Sequence, residues 1–323
     1  MPFPLGDWIR SHARCRHHLG ESGMRGVVEP RVPTARAIRS ADPAALRERL
    51  ARSVDVDAAR VFLTHGATEA NGWVTTFVAR QRRAPRRCRL HYPEYPPLAA
   101  IAAWAGLRPT DRDGPAAFGV LSNPRNPEGR WMPPEEVAER MGGVRDLLVD
   151  ETFREFARVP TYAGDGSCRV WRTGTFTKFF GGDGIRVGFV VAPEEACEAF
   201  AQFHAHFVDR VPEYSLAAAI ATWDARDRFR RAVARVFDRN VARLRAALPD
   251  APPLAAPVYF DRVPGVPGRA LAERGLRRSV LVCPGDLFGD PSGVRIGLTR
   301  PSFPVDFAAY LSVRDRAGSR HGS

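Results

Sequence analysis

Lysine is almost missing from this sequence: of 48 basic residues, 47 are arginine and only Lys178 is lysine. With ordinary usage, a chain of 323 residues carries roughly 20 lysines. Arginine in lysine's place throughout, beside abundant alanine and proline, has the look of a genome-wide codon bias. Such a bias accounts for much of the +12 net charge without an anionic partner. The surviving lysine is therefore informative. A guanidinium stays charged and forms no stable imine, whereas a lysine amine can lose its proton and attack an aldehyde.

Cysteine is also sparse. The five cysteines (15, 88, 168, 197 and 283) form no C-x-x-C pair and are odd in number, which argues against a disulfide framework or a zinc site. Cys15 lies near His12, His17 and His18, but no second cysteine completes a metal site, so the segment reads as a polar N-terminal stretch. No apolar run approaches a bilayer span. Met1-Pro2-Phe3-Pro4-Leu5 lacks the basic start and long apolar stretch of a signal peptide, so the expectation is a cytoplasmic protein with no membrane partner. Recognition-helix and aromatic–basic platform motifs are lacking too, which leaves nucleic-acid binding resting on basic charge alone.

What is present is an ordinary globular composition, 44% hydrophobic and 26% charged, in a chain long enough for a large domain and a smaller one. Patterning predicts strands at 61–63, 117–121, 147–149, 169–171 and 187–191. Helices are expected at 68–80, 134–141 and 194–206, with a longer helical stretch, broken or bent, over 215–248. Asp42-Pro43 reads as a capped helix start leading into 44–50. After Pro252-Pro253 the pattern becomes strand 258–260, helix 269–274, strands 280–282 and 294–298, and a final helix 305–311; residues 316–323 read as a frayed tail. Alternating strands and helices suggest a mostly parallel α/β sheet, followed by a small α+β unit beyond the Pro-rich stretch 249–257. Functional residues of parallel sheets gather at the carboxyl ends of strands, where the polar motifs of this chain also fall.

The lysine lies in Thr173-Gly174-Thr175-Phe176-Thr177-Lys178-Phe179-Phe180-Gly181-Gly182-Asp183-Gly184-Ile185-Arg186-Val187-Gly188, between two predicted strands. An imine-forming lysine needs neighbours that hold a phosphate, and Thr175 and Arg186 have that chemistry. The residues alone leave open an ordinary loop with a surface lysine. Upstream, Thr64-His65-Gly66-Ala67-Thr68-Glu69-Ala70 sets a glycine turn before a helix whose first amides, at Ala67 and Thr68, attract anions; it also reads as a plain helix cap. Tyr92-Pro93-Glu94-Tyr95-Pro96 and Ser122-Asn123-Pro124-Arg125-Asn126-Pro127-Glu128-Gly129 are Pro-rich turns. Asp150 closes a buried strand in Val149-Asp150-Glu151-Thr152-Phe153, where a carboxylate is costly without a cationic partner. Arg295 lies in the strand Val294-Arg295-Ile296-Gly297-Leu298.

These six motifs, in this order, resemble those of the class I/II aminotransferases of the aspartate aminotransferase superfamily, including members acting on histidinol phosphate and on threonine phosphate. The family signature S/T-x-x-K-x-x-G-x-x-G-x-R-x-G matches Thr175 to Gly188. The resemblance implies PLP fold type I: a mostly parallel seven-stranded sheet in a large domain (35–250) and a smaller α+β domain (1–34 plus 251–323). It implies pyridoxal 5'-phosphate, bound to Lys178 as a Schiff base. Gly66, Ala67, Thr68, Thr175 and Arg186 would cradle the phosphate. Tyr95 would stack on the ring, Asn126 would meet its O3′, and Asp150 would pair with the protonated ring nitrogen. Arg295 would grip a substrate carboxylate. The loose match of Leu19-Gly20-Glu21-Ser22-Gly23 to the substrate-covering stretch adds Glu21 and Gly23, with Glu21 facing a cationic side chain or simply solvent.

The implied reaction moves an amino group between an amino acid and a keto acid, with Lys178 carrying a proton from Cα to the cofactor's C4′. There are departures from the family pattern. Phe153 stands where a Tyr is usual, as in relatives that decarboxylate amino-acid phosphates, so decarboxylation or oxidation is the alternative reading. Glu128 replaces a Thr. Ser40-Ala41 stands where a Tyr commonly reaches the partner subunit's phosphate, although the family's homodimer is still expected.

Overall fold

Short runs rich in Val, Leu and Phe, separated by polar or Pro/Gly punctuation, pair into one sheet in the computed structural model, which describes residues 3–24, 26–81, 87–111, 116–208 and 210–318. The strands are β1 (Val61–Thr64), β2 (Arg87–Leu90), β3 (Arg108–Thr110), β4 (Phe118–Ser122), β5 (Asp146–Asp150), β6 (Arg169–Thr175) and β7 (Gly188–Val191). Their order is β1-β7-β6-β5-β4-β2-β3. Strands β2 to β6 pair in parallel, while β7 runs antiparallel to both β6 and β1. The sheet is thus seven-stranded and mostly parallel, as the sequence resemblance implied. Its central strands β4 and β5 are buried along their whole length, as expected of a parallel sheet with both faces covered.

The helices that matter here are α1 (Pro4–Ser11), α2 (Pro43–Ser53), α3 (Ala67–Ala79), α4 (Pro96–Trp104), α5 (Glu213–Asp224), α6 (Arg226–Ala247), α7 (Gly268–Leu276) and α8 (Phe303–Gly318). Asp42 caps α2 by accepting from the Ala44 amide at 2.8 Å, with Pro43 in the first turn. The long helical stretch breaks at Ala225 into α5 and α6. The final helix is longer than expected. It continues through Gly318, so the expected fraying does not begin at Arg316; residues 319–323 of that tail lie outside the described residues.

Beyond Pro257, β8 (Val258–Arg262), β9 (Cys283–Pro284) and β10 (Gly293–Gly297) form an antiparallel sheet in the order β9-β10-β8. The strand expected at 280–282 is divided: Val280 and Leu281 pair in parallel with His17 and His18, and pairing with β10 begins at Cys283. The N-terminal segment is thereby tied to the C-terminal part. His17 Nδ1 lies 3.0 Å from Asp306 Oδ1, and His12 Nδ1 lies 2.8 Å from the Trp8 carbonyl. The Gly297 amide donates to the Leu19 carbonyl at 2.7 Å. A Cβ at Gly297 would lie 1.7 Å from the Glu21 carbonyl oxygen, so only glycine lets residues 19–21 lie across β10.

Candidate active site

The carboxyl ends of β1, β4, β5 and β6 open on one edge of the sheet. Register sets Ser122 beside Asp150, and Asp150 beside Thr173. A cavity of about 200 Å³ lies over this edge. Nine residues predicted for the site line it: Ala67 and Thr68 at the start of α3, Tyr95 before α4, Asn126 after β4, Asp150 at the end of β5 and Phe153 just beyond it, Thr175 at the end of β6, and Lys178 and Arg186 between β6 and β7.

Lys178 lies on the wall of this cavity. Burial holds its amine below the usual lysine value; the carboxylates of Asp183 and Asp150 oppose that shift, and the guanidiniums of Arg295 and Arg186 add to it. A larger share of neutral amine follows, which is the nucleophilic form. Its backbone carbonyl accepts from the Met24 amide at 2.9 Å, so the N-terminal segment braces the lysine loop.

Asp150 is 4% exposed, yet no cation pairs with it among the described residues. Its carboxylate accepts from Asn71 Nδ2 at 2.8 Å and from the Thr152 amide at 2.9 Å. The Asn71 carbonyl in turn accepts from Thr173 Oγ1 at 2.6 Å. This chain fixes the carboxylate's orientation and leaves it directed at the cavity. Beside it Phe153, 3% exposed, presents a ring without a hydroxyl and packs edge-on against Phe156.

The opposite end is an anion cradle. Gly66 caps α3 with φ 102°, a conformation that side-chain-bearing residues rarely adopt, and the α3 amides open towards the cavity. Gly66 itself stands behind the cavity wall: a Cβ there would come within 2.8 Å of Arg186 Nη2. Arg186 holds a left-handed backbone, φ 52°, and donates to the His65 carbonyl at 3.1 Å. Thr175 Oγ1 lies 2.7 Å from Thr177 Oγ1.

Arg295, Glu21 and Gly23 line a second cavity of about 220 Å³, which shares Ser22, Tyr95, Lys178 and Asp183 with the first. Arg295 is 2% exposed. It donates from Nη1 to Asn126 Oδ1 at 3.2 Å and from Nη2 to the Gly20 carbonyl at 2.7 Å, while its Nε has no hydrogen-bond partner. Its guanidinium carbon lies 5.0 Å from the Phe288 ring centroid. No carboxylate pairs with it among the described residues. A buried guanidinium without an anion is costly, and an oxyanion bound beside Arg295 would offset that cost.

Sequence reasoning missed the braces. Arg125 and Glu94, read only as turn residues, form a fully buried ion pair at 2.5 Å. Glu94 also accepts from Ser122 Oγ at 2.5 Å and from the Tyr95 amide at 2.6 Å, and Arg125 donates to the Pro93 carbonyl at 2.6 Å. The pair locks the Tyr95 turn to the Asn126 turn. Charges inside a Pro-rich turn were the available signal. Asn71, Thr177 and Asp183 were missed as well. Asn71 was visible as a polar residue on the apolar face of α3, which also buries Val74 and Val78. Among the described residues no three His, Cys, Asp or Glu side chains cluster as a metal site.

A family model described as aminotransferase class I and II matches residues 110–301. A histidinol-phosphate aminotransferase of Bordetella parapertussis is 30% identical over 263 residues, covering 75% of this chain and 74% of that protein. A threonine-phosphate decarboxylase of Sinorhizobium sp is 34% identical over 148 residues, 42% of this chain; the match spans under half, 43%, of that relative's length. Among solved structures, an aminotransferase from Mycobacterium tuberculosis superposes with a TM-score of 0.80 at 20% identity, covering 99% of this chain and 97% of the other. The histidinol-phosphate aminotransferase of Sinorhizobium meliloti, in complex with pyridoxal-5'-phosphate, superposes at 0.71 with 20% identity, covering 98% and 95%.

Proposed function

The chain belongs to the class I and II aminotransferase family, and on that premise we propose that it is a pyridoxal-phosphate enzyme moving the amino group of an α-amino carboxylate to a keto acid. The single observation that carries this reading is the gathering of the chain's only lysine, an Asp150 carboxylate without a cation, and an anion cradle around one cavity. The residues fit the cofactor end to end. Asp150 suits the protonated ring nitrogen, Tyr95 and Asn126 suit the ring, and Thr175, Arg186 and the α3 amides suit the phosphate. When bound, the cofactor supplies an aldehyde that takes up the amino group and a ring that stabilises negative charge at the substrate Cα.

Lys178 is the residue proposed to hold the cofactor and, once freed, to take the Cα proton at Nζ. Burial keeps its amine below the usual lysine value, which favours the neutral form that a base needs. Asn71 and Thr173 hold the Asp150 carboxylate in line. Arg295 is proposed to bind the substrate carboxylate through its fork and so orient Cα. The large-domain and small-domain division at 35–250 and 1–34 plus 251–323 belongs to the same reading, as does a homodimer; the half-exposed rings of Phe207 and Tyr214 supply apolar surface for the partner.

The reading is tested by adding pyridoxal 5'-phosphate and then a panel of amino acids. It expects a visible absorption band that one class of amino acid removes and a keto acid restores. Phe153 supports a second reading, loss of carbon dioxide from the substrate. Carbon dioxide release without a keto acid would favour it.

A further inference from the structure

Two carboxylates line the outer cavity and have no part in the proposed reaction. Glu21 lies exposed at its mouth, and half-buried Asp183 stands where the two cavities meet, beside Lys178, Tyr95 and Ser22. Neither forms a hydrogen bond or ion pair with another described residue. The wall supplied by α1 and the residue before it is apolar, made by Phe3, Leu5 and Ile9. The cations on the lining are Lys178 and Arg295. Arg295, 2% exposed, lines the same cavity and keeps an Nε–H without a partner.

We propose that this outer cavity selects an α-amino acid with a flexible aliphatic stem that ends in a cation, as in a diamino acid. The inference rests on the reading that Arg295 takes the substrate carboxylate. With that end fixed and the α-amine at Lys178, the stem lies along Phe3, Leu5 and Ile9. Its terminal ammonium or guanidinium is then met by Glu21 and Asp183. Opposite charges in a partly desolvated cleft attract strongly, and a second anion on the substrate would instead face two carboxylates. A side-chain phosphate of the kind named for the Sinorhizobium sp relative, which comes in addition to a carboxylate, is therefore disfavoured here.

The test uses the holoenzyme and follows the half-reaction by absorption with L-lysine, L-ornithine, L-norleucine, L-aspartate and O-phospho-L-threonine. Norleucine keeps lysine's stem length and lacks its charge. The proposal expects lysine or ornithine to exceed norleucine by about tenfold or more in kcat/KM, with aspartate and O-phospho-L-threonine below norleucine. Glu21→Gln and Asp183→Asn should each lower the lysine-to-norleucine ratio, chiefly through the half-saturation concentration, while the cofactor band reports that each variant is folded. Equal use of norleucine and lysine, preference for the phosphate, or an unchanged ratio in both variants overturns it. If no amino acid removes the band, transamination fails as a reading. Calorimetric binding of lysine against norleucine to the holoenzyme then decides the selectivity separately: tighter lysine binding supports it, and equal binding overturns it.

Discussion

Arg295 Nη1 donates to Asn126 Oδ1 at 3.2 Å across 169 residues of sequence, joining the β10 strand to the turn after β4. One residue thus borders the outer cavity and the other the inner one, and the hydrogen bond couples them. Asn126 is itself held, its amide donating to Ser122 Oγ at 3.0 Å. The guanidinium that would grip a substrate carboxylate is therefore oriented before the substrate arrives.

Arg295→Lys should raise the half-saturation concentration for the amino acid by about 10- to 100-fold, since charge-assisted hydrogen bonds contribute about 1.5–3 kcal/mol. Lysine keeps the charge but loses the planar fork, so rescue should be partial at most. Half-reaction kinetics across amino-acid concentrations check this. An unchanged half-saturation would remove Arg295 from substrate binding.

Asp150→Asn should keep the cofactor attached and slow the half-reaction by roughly two to three orders of magnitude, because charge on the ring nitrogen is no longer supported. Asn71→Ala removes one hydrogen bond to the same carboxylate, a loss of about 1–2 kcal/mol, and should slow it roughly tenfold. Single-turnover rates on the two variants give the ordering. Equal rates for Asn71→Ala and wild type would mean that Asn71 does not position Asp150.

Much of this site was legible before any coordinates, because the cofactor motifs are local: Lys178, Thr175 and Arg186 lie within twelve residues, and Gly66 directly precedes the helix that it caps. The mostly parallel sheet followed from alternating apolar runs. Strands β2 and β3 were not read, since Arg87–Leu90 alternates arginine with single apolar residues and the edge strand Arg108–Thr110 carries a proline. Helix α4 was hidden by the prolines at its start, which read as a turn. The Arg125–Glu94 pair was not read because its importance comes from burial, and spacing carries no record of that. Asp183 lies inside the lysine motif, where spacing assigns it no role; only the meeting of the two cavities singles it out.

Gly66→Ala should destabilise the protein by about 1–3 kcal/mol, because φ 102° is strained for any side chain and the new Cβ would press on the Arg186 guanidinium 2.8 Å away. Cofactor affinity should fall with it. Thermal midpoints and a cofactor titration measure both. A fully stable variant with unaltered affinity would contradict the cradle.

The fully buried Arg125–Glu94 pair predicts that Glu94→Gln costs about 3–5 kcal/mol, since it leaves the Arg125 charge enclosed without its partner. Denaturant midpoints test this. A loss under about 1 kcal/mol would mean that the carbonyls of His91 and Pro93 suffice to hold Arg125.

Lys178 also sets a pH dependence. Its folded-state value lies below the usual lysine value, so between those two values the unfolded chain binds more protons. Stability of the cofactor-free protein should rise with pH across that window. Cofactor attachment should slow as pH falls through the lowered value, because the neutral amine disappears. Lys178→Met should lose the stability slope, and a retained slope would assign it to another group.

The most direct measurement is borohydride reduction of the protein mixed with pyridoxal 5'-phosphate, followed by peptide mass spectrometry. With one lysine in the chain, the result is unambiguous. A single phosphopyridoxyl group on the peptide containing Lys178, absent from Lys178→Ala, is the predicted result. No adduct, or an adduct confined to the N-terminal amine, would contradict the central claim that Lys178 holds the cofactor.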